Sequence, residues 1–336
     1  MSFHPHALGS AALAFLLVAG SAGVAGAHAS GLSAGDPWWQ AWDADWLVLS
    51  NLAVMAVLYA CGLRKLWRRT GVGRGVQSWR ALAFASALLT ILIALLSPVD
   101  ALSKDLSWVH MLQHLLLMAI AAPLLVLGYP ELVLLWVLPR RARRTLGRWP
   151  QRRTLVGALW RGSWNPLLIW AVHALALWVW HVPVLYEWAL YDPPVHDVEH
   201  LTFFLAAVLF WRVAIDPRSH LRANPGLGVL YLFTTSLHAS ALGALMALSP
   251  RPWYPTYVGR TEVWNLTPME DQQLAGLIMW MPGCTVYALV AAVLLGWWLQ
   301  GTCDAGSCTA TGQPAAAVNR PRSGIKSKCG SLVKTS

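Results

Sequence analysis

Charge is scarce in this chain. Asp, Glu, Lys and Arg make up only 12% of its 336 residues, while the broad hydrophobic class makes up 57%. A soluble domain of this length normally carries more charge to cover its surface, so the composition argues against one. Cysteine is also sparse, and Cys61, Cys284, Cys303, Cys308 and Cys329 form no disulfide framework. Phosphate loops, dinucleotide fingerprints and protein-kinase patterns are missing, and no nucleophile arrangement marks a hydrolase. A non-enzymatic role is the expectation. The net charge of +10 sits in loops beside apolar runs, where it encodes orientation in a lipid bilayer rather than a surface for nucleic acid.

Long apolar runs are what the chain has instead. Seven approach the roughly 20 residues needed to cross a hydrocarbon core: Trp46 to Gly62, Trp79 to Ser97, Trp108 to Gly128, Pro166 to Leu190, His196 to Ile215, Gly226 to Ser249 and Asp271 to Leu299. Backbone groups in lipid must be satisfied within the segment, so runs of this length imply helices. No ten-residue alternation competes. The predicted fold is an all-α polytopic membrane bundle of seven transmembrane helices occupying residues 46–299. Pro183 is read as a kink or outer-end break, and Glu131 to Pro139 as a short piece at the interface. The 21 Trp residues suit the two membrane–water boundaries.

Basic residues orient the bundle. All Lys and Arg except Lys104, Arg251 and Arg260 follow segments one, three or five or lie in the C-terminal tail. That asymmetry puts those loops in the cytoplasm and the N-terminus outside. Residues 1–27 have an apolar core and the small-x-small sequence Ala25-Gly26-Ala27, and a removed signal peptide is expected there, with a retained eighth helix as the alternative. Residues 28–45 form an extracytoplasmic segment, and 300–336 a flexible cytoplasmic tail. A new N-terminus at His28 and the Cys303/Cys308 pair are weak copper-binding signals; an inert tail is the preferred reading of the pair.

Ionisable side chains inside membrane spans are costly, which makes them functional candidates. The third span opens with His110 and His114, and the fifth with His196 and His200. Spacing of four places each pair on one helix face. His181 lies at the outer end of the fourth span, and the alternating helix directions bring all five imidazoles to a similar depth beneath the outer surface. They are the predicted metal ligands. Glu199 and Asp271 are read as supporting groups that orient or neutralise the site, Asp271 alternatively as a bond between adjacent helices. Met111, Met118 and Met279 are soft thioethers suited to Cu(I), although ordinary core packing explains them equally well. His238 lies deeper, with Ser/Thr partners as its structural explanation. His173 is deeper still from His181, too far along the axis for one compact site.

Those segments resemble the CtaG family of caa3-type cytochrome c oxidase assembly factors. The likeness is carried by His110-Met111-Leu112-Gln113-His114, Trp180-His181-Val182-Pro183-Val184-Leu185-Tyr186, His196-Asp197-Val198-Glu199-His200, and Asp271-Gln272-Gln273-Leu274-Ala275-Gly276-Leu277 followed by Met279-Trp280. It covers about Asp45 to Leu299. The resemblance implies a seven-helix protein of the bacterial cytoplasmic membrane that supplies copper, as Cu(I), to the oxidase subunit carrying the copper centre. A periplasmic copper donor and membrane lipid are the further partners expected. A haem-binding redox protein, a copper or proton transporter running inward through His173, His238 and Cys284, and a purely structural scaffold are the competing readings.

Overall fold

The computed structural model describes residues 37–42, 44–143, 165–216, 219, 221 and 224–310, with the side chains of 297 and 301–310 left aside. The expected signal peptide, His28 and the tail beyond residue 310 lie outside the described residues. Two compact units divide the chain at Leu294. Everything below concerns the first, residues 1–294; the described part of the second is the C-terminal end of one helix.

The described residues are helical, with no strand among them. Helix α1 covers Trp46–Thr70, α2 Ser78–Leu96 and the short α3 Pro98–Ser103. Helix α4 spans Ser107–Leu127, and α5 is the six-residue Pro130–Leu135. Helices α6 and α7 cover Pro166–Trp180 and Pro183–Tyr191, α8 Pro193–Ile215, α9 Pro225–Ala247 and α10 Pro268–Ala310. Six of these helices are long and apolar enough to cross a membrane, and the α6–α7 pair makes a seventh span if counted together.

Local chemistry explains the boundaries. Helices α6 to α10 all begin at a proline, whose fixed φ suits a first turn where no N–H is needed. Asp45 caps α1 by accepting from the Leu47 and Val48 amides at 2.8 and 3.1 Å, and Gly71 ends it at φ 92°. The helix therefore runs past the predicted end at Gly62, carrying Arg64, Lys65, Arg68 and Arg69 along its last turns. Pro183 breaks the fourth span: α6 and α7 meet at 74°. The His181 carbonyl freed by that break accepts from the Tyr254 hydroxyl at 3.1 Å.

Helices α4 and α8 are the centre of the bundle. Two-thirds of the most apolar stretch of each is buried in protein, against a third in α1 and α2. They run in the same sense, since His114 meets His200 near their beginnings and the Trp211 indole donates to the Met118 carbonyl at 2.8 Å further along. Phe203, Phe204, Phe210 and Trp211 of α8 are fully buried around this line. A π-helical turn, Leu116–Ala121, interrupts α4 just after His114. Pro123 has no N–H to give the preceding turn, and the wider turn absorbs that loss.

Helices α9 and α10 cross closely at Gly243 and Gly276. A Cβ on Gly276 would meet the Gly243 carbonyl oxygen and the Ala247 amide nitrogen at 2.6 Å each, so only glycine fits. Away from the crossing, α5 meets α8 through a buried ion pair. Glu131 takes Arg212 Nη1, and Asp216 lies 3.1 Å from Arg212 Nη2.

Candidate metal centre

The i,i+4 pairs on α4 and α8 face each other. Ring centroids of His110 and His114 lie 4.3 Å apart, and those of His196 and His200 4.2 Å apart. Between helices, His110 is 5.5 Å from His196, and His114 is 5.1 Å from His200. Four imidazoles from two helices thus share one small volume. His110, His114 and His200 are buried, and His196 is half-buried at the edge.

Glu199 sits among them. It is fully buried, and neither carboxylate oxygen has a hydrogen-bond partner. Its oxygens lie 3.9 Å from His110 Nε2 and 3.9 Å from His114 Nε2, beyond hydrogen-bonding reach. The expected supporting role, accepting a ring N–H, is therefore not how the carboxylate stands here. Two ligand groups close to within 4.8 Å instead: His110, His114 and His200, and His110, His196 and Glu199. The ring nitrogens of His110 and His114, and Nε2 of His200, are buried without protein partners.

A buried carboxyl group beside the unpartnered ring nitrogens of His110 and His114 is unfavourable as it stands. Buried polar groups are normally paired, and an unpaired charge in low dielectric costs several kcal/mol. A cation held between these groups removes both faults at once. The donor set also has the right chemistry: imidazole nitrogen takes copper or zinc, and the carboxylate balances charge.

Neighbouring residues hold the two helix ends in place. Helix α4 has no capping side chain of its own. Asp271 supplies one from α10, its carboxylate accepting from the Ser107 amide at 2.9 Å, the Ser107 hydroxyl at 2.5 Å and the Trp108 amide at 3.2 Å. Asp271 thus bonds adjacent helices, three residues before His110 in the fold. Gln113 braces the same helix by donating to the Ala94 carbonyl and Asp100, each at 2.9 Å. Gln272 accepts from the Trp253 amide and donates to the Met246 carbonyl, pinning the loop after α9.

That loop covers the centre with tyrosines. Tyr186 packs 5.1 Å from His110, stacks on Tyr254 at 3.7 Å and shares a hydrogen bond with Tyr257 at 3.0 Å. Burial pushes the Tyr254 and Tyr257 phenols above their ordinary range, and Glu199 adds to the rise. They stay neutral and bring no anion to the cover. Tyr186 was not visible as a site residue from spacing, although it stands within the Trp180–Tyr186 segment.

The remaining predicted residues lie elsewhere. His181 belongs to neither ligand group; it faces Phe203 at 6.0 Å, and its Nδ1 bonds the Leu177 carbonyl at 2.7 Å. Met111, Met118 and Met279 line a cavity beside the centre. His238 stands edge-on to Trp170 at 5.5 Å. The hydroxyls expected to satisfy it are engaged otherwise, Thr234 and Thr235 with backbone carbonyls and Ser240 with Cys284 at 2.7 Å.

The family model described as cytochrome c oxidase caa3 assembly factor (Caa3_CtaG) matches residues 57–301, which hold every residue of the centre. The chain belongs to this family. Two curated relatives are uncharacterized proteins, Mb0105 from Mycobacterium bovis and MT0111 from Mycobacterium tuberculosis. Each is 28% identical over 264 residues, covering 76% of this chain. The chain spans 39% of the length of these relatives. No solved structure matches it. Within the Caa3_CtaG region, then, the four-histidine cluster with its carboxylate is a feature with metal-binding chemistry.

Proposed function

We propose that this protein is a non-enzymatic assembly factor for cytochrome c oxidase. It holds copper between α4 and α8 and passes it to the oxidase subunit that carries the copper centre. Family membership supports the assembly role. The single observation that carries the copper role is the buried, unbonded Glu199 carboxylate within reach of His110 and His114. Imidazoles with one carboxylate neutralise Cu(I) without demanding redox turnover, and they leave room for ligand exchange with a partner. Packed rings at 4.2 to 4.3 Å leave no slot for a porphyrin, which favours an ion over haem.

In this reading the chain sits in the bacterial cytoplasmic membrane with its N-terminus outside, as the basic loops require. The half-buried His196 then forms the entrance from the outer surface, where a periplasmic donor delivers copper. The test replaces His110 and His114 together with alanine in cells that depend on this protein. Oxidase copper content and activity should fall while the variant still inserts in the membrane. Normal oxidase maturation in that strain overturns the proposal.

A further inference from the structure

A second cluster lies beside the centre. His114 borders a cavity of about 50 Å³ that is also lined by Met111, Met118, Met279, His173 and His181. No lining residue is a carboxylate or a cation. His173 is buried, and both of its ring nitrogens lack a partner. At His181 the Leu177 carbonyl accepts the Nδ1 proton, which fixes the tautomer and leaves the Nε2 lone pair available. That Nε2 is buried and unpartnered as well. Ordinary packing explains a methionine-rich wall, but not two imidazoles with unsatisfied nitrogens beside it.

We propose that this cavity is a second metal site, selective for a soft monovalent ion, with thioethers from among Met111, Met118 and Met279 and one imidazole at a time, His173 or His181, which lie a little over two turns apart along the fourth span. Charge and softness give the selectivity. Every donor is neutral, and the solvation lost on burying an ion rises with the square of its charge, so a divalent ion goes uncompensated here. Thioether sulfur favours Cu(I) over zinc. The adjoining centre, with its carboxylate, is the less selective of the two. His114 borders both, so an ion moves between them by exchanging ligands at that ring. The ion remains Cu(I) throughout and no electron is transferred. The proposal deepens the copper-handling reading and rests on it.

Silver(I), a redox-inert ion of the same softness, is the probe. The full chain, with its five cysteines replaced by serine so that no thiol competes, is made metal-free in lipid nanodiscs, titrated with silver(I) and examined by X-ray absorption. This cysteine-free chain should bind two equivalents, with sulfur among the neighbours of the bound silver. The volume-conserving triple variant M111L/M118L/M279L should lose one equivalent and the sulfur signal while keeping its melting temperature. E199Q/H200A should keep the sulfur-bound equivalent and lose the other. One equivalent without sulfur in the cysteine-free chain overturns the second site and leaves the first standing. No retained ion in any form overturns both.

Discussion

A carboxyl group that is fully buried and bonded to nothing destabilises the fold around it, and Glu199 is such a group. Replacing it with the nearly isosteric glutamine removes the acid and keeps the shape. In metal-free protein, Glu199→Gln should therefore melt no lower than wild type. With copper added the order should reverse, because wild type gains binding free energy that the variant has largely lost, about tenfold or more in affinity. Differential scanning fluorimetry with and without copper reads both halves, and an E199Q chain stabilised by copper as much as wild type contradicts them. Asp271 acts differently. Its Asp271→Ala variant should lower stability by about 1 kcal/mol through loss of the α4 cap, while metal stoichiometry stays unchanged. Measured together, a melt and a metal titration separate the two carboxylates. The histidine pairs were legible from spacing alone, because four residues is close to one turn. Glu199 had its own signal, the i,i+3 relation to His196, but its orientation depends on where α4 passes. His181 shares the depth of the others and is turned aside by its bond to Leu177 and by the Phe203 ring, neither of which spacing reveals.

Among the helices, apolar run length marked the spans well because lipid leaves the backbone few alternatives. Where it fell short, local polar chemistry intervened: α1 runs on through its basic turns. The 74° bend after Trp180 was foreseeable as a break at Pro183, but its angle depends on Tyr254 accepting the role of partner to the His181 carbonyl. The π turn in α4 had no clear sequence mark beyond Pro123. Gly276 lies at the close crossing with Gly243, where only a residue without a side chain fits. A Gly276→Val change places side-chain atoms where backbone already lies. It should cost about 1 to 3 kcal/mol or more and separate α9 from α10. A denaturation midpoint equal to that of wild type would show that the crossing tolerates the extra volume.

For the protein as it sits in a bilayer, charge asymmetry makes the strongest forecast. Reporter fusions near residues 75 and 150 should be active only as cytoplasmic markers, and fusions near residues 104 and 258 only as outside markers. The reverse pattern would put the histidine centre on the wrong face for an external copper donor. In the orientation proposed from loop charge, the tyrosine-covered end of α4 and α8 faces outward. The measurement that bears hardest on the copper reading is elemental analysis of protein purified from its native membrane without added metal, beside the His110→Ala/His114→Ala double variant. Wild type should retain at least one copper ion per chain, and the variant should have lost the ion held by the histidine centre at equal yield. Equal copper in both, or none in wild type, would contradict the role assigned to the centre.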